Sequence, residues 1–134
     1  MELVEWNDSF SVGNILMDMH HRIFFETIKE FSKFADKNNH DAIKRRIEFL
    51  IEYAAMHLGA EEKLMRQSNY PEFDDHKAIH DAFVQELLSI KESFDKDPTS
   101  ISADSILKIM QDWLVTHIMD SDKRYMPYVQ KLQG

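Results

Sequence analysis

HLGAEEKLM, residues 57–65, lies inside a longer stretch, Asp41–Gln67, in which Ile43, Ile47, Leu50, Ala54 and Leu64 recur in steps of three and four. That spacing lines one stripe of an α-helix, and His57 and Glu61 fall on the same stripe. A buried helix therefore carries an imidazole and a carboxylate where leucine would fit. How the two are satisfied decides what the rest of the chain must supply.

Three further segments repeat the pattern. Met17–Lys37 carries His21, Phe24, Phe25, Ile28 and Phe31 at helical spacing, and DKNNHD ends it. Glu72–Phe94 steps through Phe73, His76, His80, Phe83, Leu87, Ile90 and Phe94 without a slip. Ser102 is the expected N-cap of a fourth helix with Ile106, Met110, Trp113 and His117 on its seam, and Pro127 limits its continuation. SNYP closes the second helix, because the residue before a proline is pushed out of the helical region. Alternating three and four steps with short connections predict an all-α, up-down-up-down four-helix bundle. Residues 1 to 16 read as an irregular arm packed over the bundle through Trp6 and Phe10, and a short helical tail ends the chain.

With 134 residues, a single domain spanning 1–134 is expected. Three glycines, three prolines and a high aromatic content favour helices over a turn-rich β fold. A net charge of -8 argues against nucleic acid as a partner, since KRR at 44–46 is the only basic cluster. Without cysteine there are no disulfides, iron–sulfur clusters or thiolate metal sites, so a metal must be held by nitrogen and oxygen. The N-terminus has neither a basic leader nor an apolar core, and no apolar run approaches membrane-spanning length. A soluble, cytoplasmic protein is expected.

His21, His57, Glu61, His76, His80 and His117 all occupy positions that the bundle pattern reserves for apolar side chains. An unpartnered buried polar group costs roughly 1–3 kcal/mol. Six of them would offset most of a typical folding margin of about 5–15 kcal/mol. A metal satisfies them together, since imidazole and carboxylate suit iron, manganese or zinc. Residues four apart differ by about 40° around a helix and about 6 Å along it, so His57/Glu61 and His76/His80 each point at one place. On the fourth helix HIMDSD offers Asp120 three residues after His117 and Asp122 five after it. Five residues turn an α-helix by about 140°, so spacing alone favours Asp120.

The phrases DMHH at 18–21, HLGAEE at 57–62, HKAIH at 76–80 and HIMDSD at 117–122 resemble the hemerythrin family, in particular its bacterial single-domain members. The order is one His, then His-x3-Glu, His-x3-His and His-x4-Asp on successive helices, and all seven positions are filled. The resemblance implies two iron ions in a non-haem centre with an oxo or hydroxo bridge. His76, His80 and His117 would hold one iron, and His21 and His57 the other. Glu61 and Asp122 would bridge them, Asp122 being the acid that the family pattern selects. It further implies a protein that binds dioxygen reversibly, for storage, delivery or scavenging, rather than an enzyme. Leu58, Trp113, Leu114 and Ile118 are the expected lining of the oxygen pocket. Nitric oxide or small anions could bind the centre where dioxygen does. An oxygen-requiring enzyme or a reductase would be the protein partner. A di-iron redox enzyme, or a sensor acting through a separate partner, uses the same ligands. Two positions depart from the family: His20 stands where glutamine is frequent, and Leu58 where phenylalanine is.

Other residues read as structural. His40 belongs to a polar turn, Glu62 to a solvated face, and the eight methionines to flexible core filling. Gly59 reads as allowing a close approach beside His57.

Overall fold

The computed structural model describes residues 3–35 and 39–133. A short 3-10 turn at Asp8–Phe10 precedes α1 (Ile15–Ala35), α2 (His40–Gln67), α3 (Phe73–Lys96) and α4 (Ala103–Thr116). A π-helical turn, His117–Asp122, then leads without a break into α5 (Lys123–Gln133). The four rods of the bundle are α1, α2, α3 and the continuous run from α4 to α5. Packing joins α2 to both α1 and α3, α1 to α4, and α5 to α2. The described elements are all helical, as the three-and-four periodicity predicts.

Local chemistry sets the ends. Asn39 caps α2 by accepting from the Ala42 amide at 3.1 Å, and Ser102 caps α4 by accepting from Ser105 at 3.1 Å. Asn69, with φ of 54°, turns the chain out of α2, and the Tyr70 hydroxyl donates to Glu72 at the start of α3. The expected end of the first helix at Lys37 lies outside the described residues. Its start is two residues earlier than Met17, because Asn14 supplies the N-terminal acceptor: the Met17 amide donates to Asn14 Oδ1 at 3.0 Å.

The arm is more ordered than an irregular segment. Asp18 fixes it, accepting from the Ser11 hydroxyl at 2.6 Å and the Val12 amide at 2.9 Å. Phe10 is buried against Phe25, and the Val4 amide donates to Gln111 on α4 at 2.8 Å. The Arg22 guanidinium lies 4.1 Å from the centre of the Trp6 ring. Gly13 has φ of 77°, a left-handed conformation that favours glycine.

The core runs along all four rods, from Phe24, Ile28 and Phe31 through Ile47, Leu50, Phe83 and Leu87 to Ile106 and Met110. Met17, Met65, Met110 and Met126 fill it, while Met19, Met56 and Met119 are exposed on its outside. Pro127 does not end the last helix. It cannot donate to the Lys123 carbonyl, yet α5 continues to Gln133 and buries Tyr125, Met126 and Val129. No helix among the described residues is long and apolar enough to cross a membrane.

Candidate metal centre

All seven residues expected at the site are buried, Glu61 and Asp122 completely. Each of the four rods supplies at least one. His21 comes from α1, His57 and Glu61 from successive turns of α2, and His76 and His80 from successive turns of α3. The π-helical turn begins at His117 and ends at Asp122.

That turn explains a failed expectation. Spacing on a regular α-helix favours Asp120, yet Asp120 is exposed and pairs with Arg124 at 2.9 Å. A π-turn closes its hydrogen bonds over five residues instead of four, so positions five apart come onto one face. Asp122 Oδ1 accordingly stands 2.9 Å from His117 Nε2.

The donor atoms fall into two groups. In one, His76, His80 and His117 gather with one oxygen each of Glu61 and Asp122; in the other, His21 and His57 gather with the same two carboxylates. Glu61 Oε1 lies 3.4, 3.2 and 3.3 Å from the Nε2 atoms of His76, His80 and His117. Its other oxygen, Oε2, is 2.9 Å from His57 Nε2. Asp122 divides in the same way, with Oδ1 toward His117 and His76 and Oδ2 at 3.2 Å from His21 Nε2. Both carboxylates therefore straddle the two groups. One group has five donors and the other four.

Within each group nitrogen faces nitrogen. His80 and His76 present Nε2 at 2.9 and 3.2 Å from His117 Nε2, and His21 Nε2 is 3.1 Å from His57 Nε2. Ligands about 2.1 Å from a common cation and at right angles to each other stand about 3.0 Å apart. The observed separations match that figure. Moreover, Glu61 Oε2 and both Asp122 oxygens are buried with no aligned hydrogen bond, although ring nitrogens lie close. Donors that converge on a point, and not on each other, fit a pair of cations.

The electrostatics agree. Burial alone would raise the carboxyl pKa values, but His57, His117 and His76 hold Glu61 well below the usual range. Burial and Glu61 push Asp122 up, and His117 and His21 outweigh them to leave it lowered. Conversely, burial disfavours a charged His117, yet Asp122 and Glu61 raise its pKa to about 10. His76 is raised for the same reasons. The site stabilises positive charge, which protons supply when metal does not.

Three partners lie behind the donors. Glu62, expected on a solvated face, is largely buried and sits 3.1 Å from His80 Nδ1. His20 is buried, with Nδ1 2.9 Å from His57 Nδ1, while its backbone carbonyl accepts from the Tyr53 hydroxyl at 2.8 Å. Burial, and then the neighbouring His57 and His21, lower the His20 pKa. Tyr125 is fully buried with an unpartnered hydroxyl, and burial followed by the charges of Glu61 and Asp122 raises its pKa well above the ordinary value. Sequence signals existed for two of these: the doubled acid at 61–62, and the doubled histidine at 20–21, whose members lie about 100° apart on a helix and so cannot face one point.

Of the expected pocket residues, Leu58, Leu114 and Ile118 are buried in the core. Trp113 is partly buried and stacks between Phe83, 3.8 Å away, and His117, 4.2 Å away, so it backs the five-donor group. His40 is exposed, but it opens α2 instead of lying in a turn, because Asn39 before it takes the capping position. Gly59 is exposed with open space around it, so no close approach beside His57 accounts for it.

Residues 12–129 match the family described as Hemerythrin HHE cation binding domain. The chain is similar to the bacteriohemerythrin of Methylococcus capsulatus, with 30% identity over 128 residues that cover 95% of this chain and 97% of the relative. It is also 30% identical to the myohemerythrin of Theromyzon tessulatum over 124 residues, 92% of each chain. A wild-type hemerythrin crystal structure superposes with a TM-score of 0.88 at 29% identity, covering 96% of this chain and 98% of that one. With the family pattern spanning the four rods and enclosing every buried histidine and carboxylate of the two donor groups, the chain belongs to the hemerythrin HHE cation-binding family.

Proposed function

We propose that this chain binds dioxygen reversibly at a non-haem di-iron centre. In this reading His76, His80 and His117 would hold one iron and His21 and His57 the other, Glu61 and Asp122 would each offer an oxygen to both groups, and a solvent-derived oxo or hydroxo group would complete the centre. The observation that carries the proposal is the inequality of the two donor groups. Both share the same two carboxylates, but one has three imidazoles and the other two. The His21/His57 group therefore offers one donor fewer, which would leave room beside it for a small ligand.

Ferrous iron held there would supply the electrons that dioxygen takes up on binding and returns on release. The chain's own residues set whether that exchange is clean. Five neutral imidazoles and two carboxylates donate less negative charge than the glutamate-rich di-iron sites of ferritin-like bundles. This restrains oxidation beyond the ferric state and favours release over oxygen activation. Leu58, Leu114 and Ile118 exclude water around the site, and the Trp113 ring holds His117 from behind. Nitric oxide and small anions suit the same position. The names of the relatives, bacteriohemerythrin and myohemerythrin, support the reading.

The test is anaerobic reconstitution with ferrous iron, an iron count per chain, and the visible spectrum through repeated cycles of air and inert gas. Two irons with a charge-transfer band that comes and goes support a carrier. Immediate irreversible oxidation overturns it in favour of a di-iron redox enzyme.

A further inference from the structure

We propose that His20 is a positioning residue: its Nδ1 accepts the Nδ1–H of His57 and so holds the His57 ring with a bare Nε2 turned toward the four-donor group. The inference rests on the two-cation reading of the site. His57 Nε2 stands 2.9 Å from Glu61 Oε2 and 3.1 Å from His21 Nε2, so Nε2 is the nitrogen that a cation takes. A neutral imidazole that ligates through Nε2 keeps its proton on Nδ1, and a buried N–H requires an acceptor. The acceptor within reach is His20 Nδ1, at 2.9 Å. To accept, His20 must leave Nδ1 bare and carry its own proton on Nε2. Its position is fixed from two sides: Tyr53 donates to its backbone carbonyl at 2.8 Å, and the Tyr53 and His57 rings meet its ring edge-on.

The other donor group is backed differently. There His80 Nδ1 faces the Glu62 carboxylate at 3.1 Å. A carboxylate acceptor pulls the shared proton toward itself and makes the imidazole a stronger donor; an imidazole acceptor does so less. His20 therefore orients His57 while leaving it a weaker donor than His80. The group with the fewer donors is therefore also the less electron-rich of the two.

The experiment uses the full chain, labelled with nitrogen-15 and loaded with zinc as a diamagnetic probe, with zinc counted on the same sample. The expected result is a downfield His57 Nδ1 proton and a nitrogen–nitrogen coupling across the hydrogen bond to His20 Nδ1. Chelator competition should show zinc held about 10–100-fold more weakly in His20→Ala. His20→Gln, whose side-chain oxygen accepts the same proton, should recover most of that loss. His20→Met, which fills similar space without accepting it, should not. Two bound zincs without the coupling, or equal affinity in the glutamine and methionine variants, overturns the role of His20 alone. A wild-type chain that binds fewer than two zincs overturns the two-cation reading, and this inference with it. If His20→Ala does not fold, the coupling in the wild type and the glutamine–methionine contrast still decide.

Discussion

The regular turns of α2 and α3 and the π-helical turn after α4 bring donors together by different periodicities. On α2 and α3 the paired residues are four apart, His57 with Glu61 and His76 with His80, and the ordinary helix does the work. After α4 the pair is His117 with Asp122, five apart, and only a widened turn brings them within 2.9 Å. The site thus uses the helix as it comes on two rods and distorts it on a third. Distortion is confined to where a short aspartate must reach two groups at once.

The contrast can be broken at its most exposed point. Asp122→Ala removes one oxygen from each donor group, and the expected outcome is loss of both cations by elemental analysis. In the metal-free chain the same change removes the nearer of the two carboxylates that hold the His117 proton and should cost about 3–5 kcal/mol, read from urea unfolding. Retention of two cations by Asp122→Ala would sink the bridging assignment. Phe83→Ala deletes a buried ring that stacks on Trp113, with an expected loss of about 3–5 kcal/mol; two zincs per chain should still bind below the lowered melting point.

The pH dependence sharpens the comparison. In the metal-free chain the His117 pKa is about 10 against 6.5 when unfolded, so its proton contributes stability that is complete below about pH 6.5 and lost as pH rises through 10. Glu61 and Asp122, both lowered, act in the opposite sense, contributing above their ordinary values of 4.5 and 3.8 and failing as pH falls. A cation takes the proton's place and removes the alkaline loss. The melting-temperature gap between zinc-loaded and metal-free chains should widen from pH 6.5 to 9; a constant gap contradicts this assignment. Smaller still, Gly59→Ala should stabilise the regular part of α2 by about 0.5–1 kcal/mol, since its surroundings are open. Asp120→Ala, which breaks an exposed pair with Arg124, should change stability by no more than about 0.5 kcal/mol and leave metal content unaltered.

The same contrast explains what could be read in advance. Helices whose buried residues keep a strict three-and-four step, such as Phe73 to Phe94, were legible because burial and periodicity agree. So were the donor pairs that obey it. The choice between Asp120 and Asp122 was not, because a π-turn breaks the assumption on which the angle was calculated. The buried stripe gives no sign of it, stepping by four through Ile106, Met110, Leu114, Ile118 and Asp122 and going on to Tyr125, Met126 and Val129. Pro127 drew attention away from that stripe, since a proline usually limits a helix. His20 and Glu62 were hidden for another reason. They touch the site only through the far nitrogens of His57 and His80, and hydrophobic periodicity says nothing about which ring atom a neighbour meets.

The division of the methionines bears on how such a molecule ages. Under the proposed function the chain would meet an oxidant, and it has no cysteine to be carried up the oxidation ladder. Met19, Met56 and Met119 stand on the outside, whereas Met17, Met65, Met110 and Met126 are sealed in the interior. Sulfoxide therefore forms first on side chains that no packing depends upon, and reductases can reach it there. The outer sulfurs wear before the inner ones, which delays the moment at which damage reaches the bundle itself.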